Sequence, residues 1–137
     1  MKKFYLDTNI WLDYFQNRSD GLKPLGEFAF QFLKKAIESN SIIYYSDLVL
    51  DELIKIIGEE KTNEGLEQYK TILIFVCINS LDFFEANKIH NLTRLHSADA
   101  LHAAISKRLG ATLISRDKHF FEIDSIDVCL PEDVLEH

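Results

Sequence analysis

The chain has 137 residues, of which 47% are hydrophobic, 27% charged and 12% aromatic, with only five Gly and two Pro. That size and mix suit one globular domain over 1–137 and exclude collagen-like, low-complexity and wholly disordered chains. Twenty-two acids against 15 Lys and Arg give a net charge of −7, which excludes a protein that grips nucleic acid by bulk positive charge.

Phe4-Tyr5-Leu6 is a short apolar run ended by Asp7, the pattern of a buried strand. Residues 16–23 are polar, contain Gly21 and read as a loop. Pro24 opens a helix that runs to Ser39, with Leu25, Phe28, Phe32, Leu33 and Ala36 at helical spacing. Ile42-Ile43-Tyr44-Tyr45 is the second strand, and Ser46 then caps a helix over 47–57 that Gly58 stops. Residues 64–74 read as another helix, ending near Cys77. A further helix covers 81–95 with Ser80 as its cap. Ser97 caps the Ala-rich helix 98–109, and Gly110 closes it. Thr112-Leu113-Ile114-Ser115 is a strand, and residues 127–130 form a last, weaker one.

Short apolar strands separated by helices imply a parallel sheet covered on both faces. The expected fold is α/β: a three-layer α/β/α sandwich around a short, mostly parallel sheet of four to five strands. Functional groups then belong outside the carboxyl ends of the strands. The most apolar run, residues 71–78, is far short of the roughly 20 residues that cross a bilayer. The amino terminus meets Asp7 too soon for a signal peptide. Cys77 and Cys129 lie in apolar stretches without CxxC spacing and read as reduced core residues, which suits a cytoplasmic protein. Leu135-Glu136-His137 reads as a native end or as the remnant of an expression tag.

Two acids, Asp7 and Asp117, follow the carboxyl ends of two expected strands and can share one edge of the sheet. Each alone also suits a turn or a helix cap. Glu52 falls beside the apolar arc of its helix, whereas Asp51 faces away from it; an ion pair of Glu52 with Lys55 is the structural alternative. Asp99 stands in the first turn of the Ala-rich helix, where an acid complements the helix dipole. Yet Asp99, His102 and Ser106 form one polar stripe on an otherwise apolar helix, and such a stripe needs a partner or a cavity. Four converging carboxylates cannot all stay ionised without a cation, and oxygen-only ligands select Mg²⁺ or Mn²⁺. Such a centre suits phosphodiester hydrolysis and gives an acidic protein a local hold on a phosphate.

The order of these motifs resembles the PIN-domain ribonucleases, and among them the VapC-type toxins. The resemblance rests on Phe4-Tyr5-Leu6-Asp7-Thr8-Asn9 and on residues 46–53 around Glu52. It continues through Ser97-Ala98-Asp99-Ala100-Leu101-His102 and through Ser115-Arg116-Asp117 with Phe120. It implies that Asp7, Glu52, Asp99 and Asp117 hold a Mg²⁺ or Mn²⁺ ion, Asp7 and Asp99 most directly. It also implies that Ser115, where Thr is commoner, and Asn9 support the site. The activity implied is endonucleolytic RNA cleavage leaving a 5′-phosphate and a 3′-hydroxyl, with a co-expressed antitoxin and a homodimer as partners. Some relatives process RNA without an antitoxin, and a PIN scaffold that only binds RNA or protein is the non-enzymatic alternative.

His96 and His102 flank Asp99 and read as packed or solvated side chains before substrate contacts. Arg116 reads first as a partner of an acid and second as an RNA contact. Trp11, Phe83 and Phe84 read as core before base-stacking platforms. Glu132 and Asp133 read as a solvated face or a terminal turn. A haloacid-dehalogenase-like or receiver-like site is disfavoured: the first wants an acid where Asn9 stands, and the second wants paired acids at the first strand.

Overall fold

Asp7 does two things at once, and the architecture follows from them. It ends β1 (Lys3–Leu6), and its side chain accepts the amide of Ile10 to start α1 (Thr8–Phe15). In this computed structural model, residues 1–134 are described; Leu135, Glu136 and His137 lie outside the described residues. The chain continues through α2 (Leu25–Glu38), β2 (Ile42–Ser46), α3 (Asp47–Ile57), α4 (Glu59–Glu67), β3 (Leu73–Val76), α5 (Ser80–Leu92) and α6 (Ser97–Leu109). It closes with β4 (Thr112–Ile114), a 3₁₀ turn at Lys118–Glu122, β5 (Val128–Cys129) and α7 (Pro131–Val134).

The five strands are all parallel, in the order β3-β2-β1-β4-β5. The chain therefore steps outward from β1 to β3, then returns to lay β4 on the other side of β1. Right-handed crossovers put α1 to α4 on one face and α5 with α6 on the other. The packing agrees: α1 meets α2 and α3, α3 meets α4, and α5 packs most closely on α6. Tyr5, Leu6, Ile43, Leu113 and Ile114 are fully buried in the sheet. Phe32, Leu33 and Trp11 are fully buried beside them, with Phe4 edge-on to Phe32 at 5.1 Å and Trp11 stacked on Phe15 at 5.8 Å. Ala100, Ala103 and Ala104 carry no bulk, so α6 lies close to the sheet.

Several expectations need correction. Residues 8–15 form a helix that the sequence reading did not assign. The helix expected over 64–74 begins earlier, at Glu59, and ends at Glu67. Leu73–Val76 is instead a strand on the edge of the sheet, paired with β2 from Ile43↔Leu73 to Ser46↔Val76. A short apolar run fits either element, and the backbone partners offered by β2 decide it. The cap of α5 is Asn79, not Ser80: Asn79 and Asp82 exchange side-chain-to-amide hydrogen bonds at 3.0 Å. Ser97 begins α6 rather than capping it, with His96 in the cap position and no side-chain cap bond. Phe83 and Phe84 are 58% and 67% exposed, not core. The inward face of α5 is Asp82, Ala86 and Ile89, and helical spacing turns Phe83 and Phe84 away from it. Cys77 is exposed and Cys129 half-buried, both as free thiols, so neither is a core cysteine. Glu132 is held by Arg116 rather than solvated.

Gly26, in the first turn of α2, lets that helix approach the exit of α1. A Cβ there would stand 2.7 Å from Asn17 Cα and 2.8 Å from the Asp13 carbonyl oxygen. Both are backbone atoms and cannot swing aside. Gly26→Ala is expected to cost about 1–3 kcal/mol, read as a lower thermal midpoint; an unchanged midpoint would show that the two helices separate freely.

Candidate functional site

The site forms where the strand order reverses, between β1 and β4. Leu6 registers with Ile114, so the next residues, Asp7 and Ser115, leave the sheet side by side. The Asp7 amide donates to the Ile114 carbonyl at 3.1 Å. The Ser115 hydroxyl donates to Asp7 Oδ2 and accepts the Asp117 amide at 3.0 Å. One serine thus ties the first acid to the last. Asp117 in turn caps the 3₁₀ turn through the His119 amide at 2.9 Å, with the His119 ring nitrogen Nδ1 3.3 Å from the same oxygen.

Glu52 comes from the middle of α3, whose start is fixed when Ser46 Oγ accepts the Val49 amide. Its Oε1 accepts two hydrogen bonds of 2.7 Å, from Thr8 Oγ1 and from His102 Nε2. The ion pair with Lys55 considered from the sequence does not form; His102 holds Glu52 instead. Asp99 lies one turn before His102 on α6, half-buried.

The acids act on one another through their charges. Burial raises the Asp7 carboxyl to about 6, with the Ser115 hydrogen bond opposing and the charge of Asp99 adding to the rise. Burial also raises Asp99, and the negative charges of Asp117 and Glu52 push it further up. Burial acts on Glu52 in the same direction, but the His102 and Thr8 contacts outweigh it and hold Glu52 below its usual range. Asp99 thus feels the charges of Asp117 and Glu52, and its own charge acts on Asp7.

Other candidate residues lie elsewhere. Asn9 is exposed and meets Arg18 at 3.4 Å rather than an acid of the cluster. Arg116 turns to Glu132 through two hydrogen bonds of 2.9 and 2.7 Å and lies 3.6 Å from Asp13. His96 is exposed at the head of α6. Trp11 is buried in the core. Thr8, Tyr5 and Ser46 carry contacts behind the cluster, a role the sequence did not give them: Ser46 was read only as the cap of α3. Only the position of Thr8 directly after Asp7 hinted at a role.

Among the described residues, no three His, Cys, Asp or Glu side chains are grouped tightly enough to hold an ion as they stand. The donor chemistry nonetheless fits a hard cation. All four acids offer oxygen, they repel one another, and among the described residues no Lys or Arg forms a salt bridge with any of them.

The family model described as "PIN domain" matches residues 4–126. No curated protein sequence matches the chain. Among experimental structures, the chain resembles VapBC2 of Rickettsia felis bound to a promoter DNA fragment, with 18% identity over 93% of this chain and 98% of that one, at a TM-score of 0.72. VapBC-1 of nontypeable Haemophilus influenzae is 19% identical over 94% and 98% of the two chains, at 0.69. VapC20 of Mycobacterium tuberculosis, a sarcin–ricin loop cleaving toxin, is 16% identical over 87% and 93%, at 0.61.

Proposed function

This chain belongs to the PIN-domain family, and from that premise we propose that it is a divalent-metal-dependent endoribonuclease, the toxin of a toxin–antitoxin pair acting in the cytoplasm. The observation that carries the reading is the electrostatic convergence of Asp7, Glu52, Asp99 and Asp117 beyond the carboxyl ends of β1 and β4. Ligand crevices in open parallel sheets lie at such reversals of strand order.

Asp7 and Asp99 are the direct holders of Mg²⁺ or Mn²⁺ in this reading, with Glu52 and Asp117 completing the set. The ion supplies charge neutralisation at the attacked phosphodiester and an activated water. The chain's own residues do the rest. Ser115 fixes the orientation of the buried Asp7 carboxylate and sets the backbone of Asp117. Thr8 and His102 keep Glu52 charged by donating to one of its oxygens. The shell of acids repels RNA until a cation is bound, so substrate and metal are expected to bind together.

The same reading includes a protein partner, an antitoxin or a second copy of the chain. It is supported by α5, which leaves Leu81, Phe83, Phe84 and Leu92 more than half exposed. An apolar groove of about 320 Å³ beside them is lined by Leu48, Ala86, Ala98 and Leu101. Among the described residues no helix is long and apolar enough to cross a membrane.

Incubating the purified protein with a mixture of structured RNAs tests the activity. Cleavage is expected with Mn²⁺ or Mg²⁺ and none with a chelator, and the products are expected to carry 5′-phosphates. Cleavage undiminished by the chelator would overturn the metal-dependent reading.

A further inference from the structure

Behind Glu52 runs a line of buried polar groups drawn from four elements. Ser46 Oγ, at the end of β2, lies 2.8 Å from Tyr5 Oη of β1. Tyr5 Oη lies 2.8 Å from His102 Nδ1 of α6. His102 Nε2 lies 2.7 Å from Glu52 Oε1 of α3. Ser46, Tyr5 and His102 are each at most 2% exposed. Tyr5 stands two residues before Asp7 on β1, so both project to the same side of the sheet. His102 stands three residues after Asp99, on the same stripe of α6.

From this line we propose that Tyr5 and His102 are positioning residues that aim Glu52, through a hydrogen-bond chain directed Ser46 → Tyr5 → His102 → Glu52. The proposal rests on the reading of Glu52 as one of the metal-holding acids.

The direction follows from counting protons. A carboxylate only accepts, so His102 Nε2 must carry the hydrogen toward Glu52. If Nδ1 is bare, it accepts the Tyr5 hydroxyl. Tyr5 then accepts the Ser46 hydroxyl, and Ser46 Oγ accepts the Val49 amide at 3.2 Å. Every proton and acceptor in that buried line is used. If Nδ1 also carried a hydrogen, Tyr5 would have to donate to Ser46, and the Ser46 proton would have no acceptor in the fully buried line. Buried donors without partners are rare because each costs about 1–3 kcal/mol. The geometry thus makes His102 Nε2 the donor to Glu52 and Nδ1 the acceptor from Tyr5.

The consequence falls on Glu52. Its side chain is half-buried, and alone it would sample several rotamers. Donors from Thr8 and His102 both hold Oε1, from two different helices. Oε2 accepts from no described group and remains free to face a cation. A line of this kind costs folding stability compared with apolar residues of the same size, so its value lies in orientation. Because Asp99 and His102 share one turn of α6, any shift of that helix moves an acid and the support of another acid together.

Three variants and two measurements test the chain. In metal-free protein, nitrogen NMR of the His102 ring is expected to show the Nε2–H form in the wild type and a departure from it in Tyr5→Phe, which keeps the ring packing and removes the donor. Calorimetric titration with Mn²⁺ is expected to show affinity about tenfold weaker in Tyr5→Phe and in His102→Asn. Partial recovery is expected in His102→Gln, whose amide nitrogen reaches the Nε2 position but leaves Tyr5 without its acceptor. Wild-type affinity in both Tyr5→Phe and His102→Asn overturns the positioning role while leaving the metal site standing. An Nδ1–H form in the wild type overturns the chain whatever the metal does. A wild type that shows the Nε2–H form but binds no Mn²⁺ refutes the metal-dependent reading above, and the role of aiming a ligand falls with it. Tyr5→Phe keeps the test open if His102→Asn does not fold.

Discussion

Replacing Asp7 with Asn is expected to abolish RNA cleavage and, at the same time, to make the metal-free protein more stable at neutral pH. The two effects share a cause. Asp7 is 6% exposed, and burial raises its carboxyl from the usual 3.8 to about 6. The fold therefore favours the protonated form. Its contribution to stability is fully present below the unfolded pKa of 3.8 and is lost as pH rises through about 6. A shift of that size corresponds to about 3 kcal/mol. At pH 7.5 the wild type bears that cost, and the Asn variant, which never ionises, does not. Asn keeps the Oδ1 acceptor that receives the Ile10 amide but puts an NH2 where Oδ2 accepts Ser115, which offsets part of that gain. Without the charge, however, the variant loses a direct ligand, and cleavage is expected to fall by about 10³-fold or more. Thermal melts with a chelator, from pH 4 to pH 8, should show the variant ahead at high pH and the gap closing toward pH 4. Retained cleavage would remove Asp7 from the site; equal melting at pH 7.5 would show that its burial carries no cost.

Arg116→Ala is expected to cost about 3 kcal/mol of folding stability. Arg116 follows Ser115 and sits beside Asp117, and from sequence alone it read first as the partner of an acid and second as an RNA contact. The structure gives its guanidinium other partners. It forks onto Glu132 of α7, approaches the buried Asp13 of α1 at 3.6 Å, and lies over the Phe28 ring of α2 at 5.7 Å. Burial raises Asp13, and Arg116 is the main charge opposing that rise. Without it, Asp13 keeps only Arg18, at 3.7 Å. Denaturant unfolding reads the loss. A change below about 0.5 kcal/mol, the size typical of a surface site, would return Arg116 to the list of RNA contacts.

Where local pattern and tertiary packing agree, the sequence was legible. α3 is an example: Ser46 at its head, Gly58 at its end and apolar residues at helical spacing set the same bounds that the structure shows. β1 and β4 were legible because each is a short apolar run that stops at a polar residue. Where a short run fits two elements, the sequence did not decide. Leu73–Val76 became a strand because β2 had an open edge beside it. Phe83 and Phe84 are as apolar as any core residue, yet Asp82 is drawn inward by Arg108 at 2.7 Å, and the helix rotates them into solvent.

The candidate site divides in the same way. Residue type and order singled out the four acids: Asp7 and Asp117 follow the ends of apolar strands, and Glu52 and Asp99 stand at the polar borders of apolar helices. Their meeting point was decided by the strand order, which brings β4 back beside β1 and sets Asp117 near residues more than a hundred positions earlier. Ser115 was named as a support through the resemblance and His102 as part of a stripe wanting a partner, but which acid each one holds was not legible. Tyr5 and His102 are 97 positions apart, and Glu52 and His102 are 50 apart. A tyrosine in a strand and a histidine on a helix are ordinary residues until the elements cross. Sequence fixes which groups can donate or accept. Hydrogen bonds act over about 3 Å, so only the packed fold decides which of those groups meet.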